Sequence, residues 1–342
     1  MRLSDNVPPL SLAPGREIGK RYVVKESPGF GNSGVVFRAK DKVTGDDVAL
    51  KVFLPIYHLK SLGPQTDQAL QKAHEEVQEL FRREVGCLHQ IRHPGIVSVI
   101  DSGVFQPQKK ELVPELRALK DLCFLVTPFI DGPNIESFVR EFTPYRDQLF
   151  ALFRRLCDAL TYLHETKKYL HADIKPSNIL VRARTAEPVI IDLCLYKNLC
   201  FRGVDEQGEV DRDQFTRLLG DWDLFPKNLP DDDPLRRFRS EGGTRESLRE
   251  LAFPTLDLFQ FGKLLESLSS ALSKCLPVED MEYLRLVQLE LTSWARVRRL
   301  NTRWLKEQID KLSGSYAHFM GVEELTPPSS AIQTKQLPGG VI

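Results

Sequence analysis

Apolar residues recur along the chain at spacings that predict its secondary structure. Near the start, short stretches rich in β-branched residues predict strands at 21–24, 35–37, 48–53, 97–100 and 123–126. Residues 68–91 instead have apolar positions at helical spacing, which recurs at 149–164, 255–272, 281–291 and 302–312. The pattern therefore predicts an α+β protein, in which a small antiparallel sheet with one helix precedes a larger, mostly helical part.

Composition and turn signals divide the chain into a small lobe, 18–130, and a large lobe, 131–320. Residues 1–17 are rich in proline and predict a flexible lead-in. Residues 321–342 lack periodicity and predict a tail. A charged insert at 106–121 predicts the tip of a long hairpin within the small lobe.

The main candidate for chemistry is a polar loop, 171–178, that precedes two aliphatic runs predicted to form a hairpin through 182–188. The polar loop contains Asp173, Lys175 and Asn178, and Asp192 follows the second run. A polar loop ahead of a hairpin is expected at the mouth of a pocket. These residue types suit phosphoryl transfer, which needs an acid to accept a proton, oxygen ligands for Mg²⁺ and a lysine near the phosphate.

A glycine loop at 29–34 reads Gly29-Phe30-Gly31-Asn32-Ser33-Gly34. Glycines at this spacing let a hairpin tip approach phosphates through backbone N–H groups. The same spacing of glycines occurs in dinucleotide-binding turns, but there a helix follows the glycines. Here the next residues continue as a strand, and the sequence therefore predicts a phosphate-binding hairpin.

Lys51 lies within the apolar strand 48–53, where a buried ammonium group needs a partner. Glu84, near the end of the helical stretch 68–91, is the candidate partner. The alternatives are a lysine that faces solvent from an edge strand and a solvated helix carboxylate. An ion pair between Lys51 and Glu84 would hold the lysine on the α- and β-phosphates of a nucleotide.

Taken together, these motifs resemble those of the eukaryotic-type (Hanks-type) Ser/Thr protein kinase superfamily. The resemblance covers about residues 21–319. It includes the glycine loop, Lys51, Glu84, the polar loop, Asp192 and the stretch 257–262. It implies a two-lobed, protein kinase-like fold that binds ATP in the small lobe and protein substrate on the large lobe.

The resemblance also implies a role for each matching residue. The catalytic residues would be Asp173, Lys175, Lys51 and Glu84, and the Mg²⁺ ligands would be Asn178 and Asp192. ATP would be bound by the glycine loop and Lys51, with the adenine ring surrounded by Val36, Ala49, Thr127, Leu180 and backbone groups of Phe129 and Ile130. His171 is expected to pack in the core with Leu88 and Leu193, and Asp257 to hold the backbone of the polar loop.

Three departures from the family pattern stand out. Cys194 replaces the glycine that usually ends the metal-binding motif, and Ala172 replaces the arginine that usually precedes Asp173. No Ala-Pro-Glu closes the segment 195–256, and either Arg298 or Arg299 is expected to brace it. Because Ala172 cannot pair with a phosphate, activation-loop phosphorylation is predicted to be unnecessary for activity.

Charge and composition narrow the list of partners. Lys plus Arg and Asp plus Glu balance at 47 each, which disfavours nucleic acid or an anionic membrane as the main partner. No apolar run is long enough for a membrane span, and the start lacks the pattern of a signal peptide. The six cysteines form no C-x-x-C pair. They indicate a reduced, cytoplasmic protein without structural zinc.

The leading hypothesis is an ATP- and Mg²⁺-dependent protein kinase that acts on Ser or Thr hydroxyls of protein substrates. One alternative is a pseudokinase that binds nucleotide and works as a scaffold, which the changes at Ala172 and Cys194 favour. The other is a kinase for a small molecule, although such enzymes usually lack the full glycine loop and the Lys175-Pro176 pair. The oligomeric state stays open.

Overall fold

The computed structural model describes residues 8–31, 34–55, 67–193 and 254–319, with the short pieces 209–210, 233, 236 and 243–244. The predictions for Asn32, Ser33, Cys194, most of the segment 195–256 and the tail 321–342 lie outside the described residues.

The small lobe is built on a six-stranded antiparallel sheet. Its strands, in the spatial order β1-β2-β3-β4-β6-β5, are β1 (Glu17–Ile18), β2 (Tyr22–Gly31), β3 (Gly34–Asp41), β4 (Asp47–Phe53), β5 (Asp101–Phe105) and β6 (Leu122–Pro128). Side chains alternate across β4, so that Val48, Leu50 and Val52 are fully buried on one face while Ala49 and Lys51 are half-buried on the other.

The predicted helix of the small lobe is α1 (Asp67–Leu88), which covers the sheet face that bears Lys51. Its buried residues Val77, Phe81 and Leu88 belong to the same core cluster as Phe53 of β4 and Leu125 of β6. The Phe53 and Phe81 rings meet edge to face, with 5.3 Å between their centroids. Helical spacing of the apolar residues therefore directs one face of α1 onto the sheet.

The strand predicted at 97–100 is wrong, because the edge strand begins at Asp101. The residues before it make long-range contacts with the large lobe instead. The Val97 N–H donates to the Ile190 carbonyl (2.9 Å), and the Ile190 N–H donates to the Gly95 carbonyl (2.9 Å). This segment therefore ties the two lobes together. Ile96 and Val97 are buried there, whereas Ile100 is exposed and donates its N–H to Val126 of β6 (2.8 Å).

Residues 1–17 were predicted to be a flexible lead-in, but their described part, residues 8–17, packs against the small lobe. Leu10 and Leu12 are buried in the core on the outer face of the sheet, and Leu10 forms a β-bridge with Leu112 of the charged insert. The insert 106–121 connects β5 to β6, as a hairpin tip would. It contains two 3₁₀ turns, and its buried residues Leu112, Leu116 and Leu119 share a core cluster with Leu10 and Leu12.

The large lobe is mostly helical. Its helices are α2 (Ile135–Phe142), α3 (Arg146–Thr161, continued by π-helical Tyr162–Lys167), α4 (Thr255–Leu272), α5 (Val278–Thr292), α6 (Trp294–Val297) and α7 (Thr302–Phe319). Asn301 caps α7 as predicted, since its Oδ1 accepts from the Trp304 N–H (2.9 Å). The predicted α+β architecture, with a sheet-based small lobe and a helical large lobe, is confirmed.

Two short strands and one buried helix bring the chemistry to the interface between the lobes. The strands β7 (Ile179–Val181) and β8 (Pro188–Ile190) form the predicted hairpin beside the polar loop. Helix α4 is buried over nearly its whole length. A Cβ on Gly262 would lie 2.7 Å from the Leu291 Cβ, so glycine lets α5 pack closely against α4.

The two-residue strands β9 (Glu209–Val210) and β10 (Gly243–Thr244) pair with each other, apart from the other sheets. No helix within the described residues has an apolar stretch long enough to cross a bilayer.

Candidate active site

Lys51 is the point where the two lobes meet. Its Nζ lies 3.5 Å from both carboxylate oxygens of Glu84 in α1, so the predicted ion pair is present. The same Nζ donates to Oδ1 of Asp192, which follows β8 of the large lobe. The structure thus places a lysine of the small lobe in direct contact with an acid of the large lobe.

The two carboxylates around Lys51 differ in their protonation behaviour. Burial raises the pKa of Glu84 to about 7, against the opposing effect of the Lys51 ammonium. Burial acts on Asp192 in the same direction, but the charge and hydrogen bond of Lys51 bring the pKa of Asp192 below its usual range. Asp192 is therefore ionised at neutral pH, while Glu84 is divided between its charged and neutral forms.

Glu84 is expected to make the stability of the protein depend on pH. Its pKa is raised in the folded state, so its contribution is fully present below about pH 4.5 and is lost as the pH rises through about 7. From about pH 4 to about pH 8, the free energy of unfolding should fall by up to about 3 kcal/mol more in the wild type than in Glu84→Gln. Denaturant titrations across that range measure this difference.

The matched control for this pH series is Glu75→Gln, which changes an exposed carboxylate on the same helix. It should follow the wild-type curve at every pH. Parallel curves for the wild type and Glu84→Gln would contradict the assignment of a raised pKa to Glu84.

The polar loop brings together the three predicted side chains of the large lobe. The Asn178 side-chain amide donates to the Asp173 backbone carbonyl and to Asp173 Oδ2, both at 2.9 Å. Lys175 Nζ lies 3.0 Å from the same Oδ2. A 3₁₀ turn at Pro176–Asn178 folds the loop back on itself and makes this convergence possible. The Asp173 carboxylate is therefore held by two donors from its own loop.

The oxygen atoms of Asn178 and Asp192 suit a magnesium ion. Because the Asn178 amide nitrogen donates to Asp173, its Oδ1 points away from that carboxylate, and no residue in the described ranges donates to it. The Asp192 side chain is 40% exposed and carries a negative charge. Oxygen ligands of this kind are preferred by Mg²⁺, which commonly completes its shell with phosphate oxygens and water. Within the described residues, no group of three His, Cys, Asp or Glu side chains is placed to hold a metal ion.

Helix α4 holds the backbone of the polar loop through Asp257. Its carboxylate accepts from the N–H groups of His171 (2.8 Å) and Ala172 (2.7 Å), as expected from the sequence. His164 of the π-helical turn lies 2.8 Å from the same carboxylate through Nε2. Gln260 also bonds to this loop. Neither His164 nor Gln260 was among the functional residues predicted from the sequence. The available signal for Gln260 was a polar residue placed between Phe259 and Phe261 in the helical stretch.

His171 has the core position that was expected. It is fully buried, and Leu88 and Leu193 are buried in the adjoining core. Its Nδ1 accepts from the Asp173 N–H (3.2 Å) and its Nε2 lies 3.1 Å from the Ile191 carbonyl. His171 therefore links the polar loop to the segment that carries Asp192.

The residues predicted to surround adenine share one face of the small-lobe sheet. Val36 is paired with Lys51, and Ala49 is paired with Thr127, so all four side chains project to the same side. All four are half-buried, unlike their fully buried neighbours on the opposite face. Leu180, on β7 of the large lobe, is also half-buried.

The backbone after β6 differs in part from the expectation. The Phe129 N–H donates to the Asp47 carbonyl (3.4 Å), and Arg38 lies over the Phe129 ring at 4.5 Å from its centroid. Phe129 therefore cannot offer its N–H to a ligand without breaking that bond. Among the described residues, nothing accepts from the Ile130 N–H, which makes Ile130 the available donor at this edge.

The glycine loop begins and ends as a β-hairpin, since Gly31 of β2 pairs with Gly34 of β3. A Cβ on Gly34 would lie 2.0 Å from the carbonyl oxygen of Val52. Any larger residue would push β3 away from β4. Gly34 is therefore required by close strand packing, in addition to any role near a phosphate.

The structure identifies one partner that the sequence did not. Arg298 Nη2 lies 3.4 Å from Oδ1 of the buried Asp233, so Arg298 is the arginine that reaches the segment 195–256.

Ala172, at the position of the family arginine, is fully buried with φ of 62°. Its side chain has no atom that could bind a phosphate.

The family model and the similar proteins that match this chain are all protein kinases. The model of the protein kinase domain family matches residues 22–201. The DNA damage response protein kinase DUN1 of Saccharomyces cerevisiae is 32% identical over 49% of this chain, which is 28% of that protein. The serine/threonine-protein kinase PkaA of Streptomyces coelicolor is 29% identical over 52% of this chain and 30% of its own length. The chain thus spans less than a third of either relative.

Solved structures share the fold over a longer range. The apo form of PpkA-294 has a TM-score of 0.54 and 18% identity, and the alignment covers 89% of this chain and 99% of that one. The Mycobacterium tuberculosis PknI kinase domain has a TM-score of 0.52 and 16% identity, with 89% and 100% covered. At these identities the likeness concerns the fold.

Proposed function

Since this chain belongs to the protein kinase domain family, we propose that it transfers the γ-phosphate of ATP to Ser or Thr hydroxyls of protein substrates, with Mg²⁺ as cofactor. One observation carries the proposal. A lysine from the small lobe contacts both Glu84 and Asp192, beside a polar loop in which Asp173, Lys175 and Asn178 converge. Phosphoryl transfer depends on this kind of charge placement, because its catalysis is mainly positioning and electrostatic stabilisation.

Each residue has a task in the proposed reaction. Lys51, oriented by Glu84, binds the α- and β-phosphates. Asp173 accepts the proton of the attacking hydroxyl, or orients it, and Lys175 neutralises charge on the transferring phosphate. Asn178 and Asp192 would hold Mg²⁺, which supplies positive charge between the phosphate groups when bound. The adenine ring would lie between Val36, Ala49 and Thr127 of the small lobe and Leu180 of the large lobe, with the Ile130 N–H as donor.

The direct contact between Lys51 and Asp192 sets a condition on nucleotide binding. Both side chains must turn toward the ligand, so the ammonium group exchanges part of its contact with Asp192 for phosphate oxygens.

Lys175, two residues after Asp173, supports a preference for Ser and Thr acceptors. In this scheme residues 18–130 are the nucleotide-binding lobe and 131–320 the catalytic lobe. A cytoplasmic location is part of the proposal, and it is supported by Cys123, Cys157 and Cys275, which are free thiols.

The test is transfer of labelled phosphate from ATP and Mg²⁺ by the purified chain. Acceptors are a generic Ser/Thr-rich protein, a copolymer whose only hydroxyl is tyrosine, and a metabolite mixture, with Asp173→Asn as the inactive control. Phosphate on the Ser/Thr acceptor, absent in the control, supports the proposal. Nucleotide binding without transfer to any acceptor would identify a scaffold, and transfer only to metabolites would identify a small-molecule kinase.

Activity is expected without phosphorylation of the segment 195–256. The buried methyl group of Ala172 replaces the arginine that binds a phosphorylated activation loop in the family. Protein made in bacteria and treated with a phosphatase should therefore keep its rate of phosphate transfer within about 2-fold, since an unused contact contributes no transition-state stabilisation. Mass spectrometry confirms removal of phosphate, and loss of activity that returns on rephosphorylation would contradict this prediction.

A further inference from the structure

Gln260 of α4 makes an unusual pair of hydrogen bonds to the polar loop. Its side-chain oxygen accepts from the Ile174 N–H (2.8 Å), and its side-chain nitrogen donates to the Ala172 carbonyl (3.0 Å). The side chain is fully buried, and its chain neighbours Phe259 and Phe261 are buried apolar residues. One planar amide thus binds two backbone groups of the loop at once.

These two backbone groups lie on either side of Asp173. The Ala172 carbonyl belongs to the peptide bond before it, and the Ile174 N–H to the peptide bond after it. An amide that bonds to both acts as a neighbouring strand would, because it prevents the two peptide planes from rotating independently. The backbone of Asp173, and hence the direction of its Cα–Cβ bond, is constrained from both sides.

The loop has particular need of such a constraint in this chain. Ala172 adopts φ of 62°, a left-handed conformation that residues with a Cβ rarely adopt unless their surroundings enforce it. Asp257 binds the N–H groups of His171 and Ala172 and so holds the loop only as far as Ala172. Gln260 continues this hold across the next residue, which is Asp173.

From this geometry we infer that Gln260 is a positioning residue, which sets the direction of the Asp173 carboxylate toward the acceptor hydroxyl by holding Ala172 and Ile174. The inference rests on the proposed function of Asp173. It predicts that Gln260 affects the chemical step rather than ATP binding. A buried glutamine whose bonds serve folding alone would have no such selective effect.

The first experiment compares kinetic constants of Gln260→Met with the wild type. Methionine has a similar length but forms neither hydrogen bond. We expect kcat to fall about 10- to 100-fold, as small displacements of a catalytic group do, while KM for ATP changes less than about 3-fold. In an Asp173→Asn background the same substitution should cause no further loss, because residues that act through one another are not additive.

Gln308→Met is the matched control. Gln308 is also a buried glutamine of the large lobe, and it accepts from the Tyr283 hydroxyl (2.7 Å), far along the chain from the polar loop. Its substitution should leave kcat and KM unchanged. Gln260→Asn is the second variant, since a shorter amide keeps polar character but cannot span both backbone groups; its kcat should be intermediate.

Hydrogen exchange supplies a readout that does not depend on activity. Amides of the peptide 171–178 should exchange faster in Gln260→Met and Gln260→Asn than in the wild type and Gln308→Met. Unchanged exchange, a kcat within about 2-fold of the wild type, or an equal fall in ATP affinity would each overturn the inference. A wild type that binds ATP but transfers no phosphate would overturn the proposed function instead, while the exchange data would still test the backbone contacts of Gln260.

Discussion

The Asp173→Asn variant is expected to transfer phosphate about 100- to 10,000-fold more slowly than the wild type, the range typical of losing a general base. Asparagine has the shape of aspartate but cannot accept the hydroxyl proton, and it presents no negative charge to Lys175. The fold should be unaffected, because the Asp173 N–H and carbonyl keep their bonds to His171 and Asn178. The measurements are kcat with a Ser/Thr acceptor and the affinity for ATP.

The affinity for ATP should remain within about 3-fold of the wild type, since Asp173 contributes to the chemical step and not to nucleotide binding. Asp147→Asn is the control, because that carboxylate is 90% exposed at the start of α3, where it forms an ion pair with Arg146. It should have wild-type kcat. If Asp173→Asn retained full activity, another base would have to be sought, and the proposed role of the polar loop would be wrong.

The second large effect is expected for Asp257→Ala, which removes the acceptor for two backbone N–H groups and for His164. The pKa of Asp257 would be raised by burial, but the hydrogen bond and nearby charge of His164 keep it below its usual range, so the residue is ionised. Each buried donor left without an acceptor costs about 1–3 kcal/mol. The free energy of unfolding should therefore fall by about 3–5 kcal/mol, and kcat by about 100-fold or more because the polar loop loses its support.

Asp280→Ala separates the loss of stability from the loss of activity. Asp280 is likewise a buried acid of the large lobe, and it pairs with Arg146 at 2.5 Å. Its removal should lower the free energy of unfolding by a similar amount, but kcat measured below the unfolding transition should stay near the wild-type value. Equal losses of kcat in Asp257→Ala and Asp280→Ala would mean that Asp257 acts through global stability alone.

Much of this protein follows from local pattern. The helices α1, α4 and α7 and the β7–β8 hairpin were expected from the spacing of apolar residues, because that spacing alone determines which face of an element is buried. The chemistry of the polar loop was also predicted, since an acid, a lysine and an amide at short fixed spacing are the groups that phosphoryl transfer needs. The need of Lys51 for a partner was visible in one strand, but Glu84 was favoured over the other acids of its helix by the match of the remaining motifs to the kinase family.

What the sequence could not determine were contacts between residues distant along the chain. Residues 97–100 have the composition of a strand, but the Val97 N–H donates to Ile190 of the large lobe, while the Ile100 N–H donates to Val126 of β6. In the lead-in, Leu10 and Leu12 pack into a core that the sheet and the insert share. The hydrogen bonds of the Phe129 N–H and of the Gln260 side chain are likewise made with residues distant along the chain. A backbone group or a buried amide bonds to whatever group the fold brings within about 3 Å, and only the tertiary structure decides which group that is.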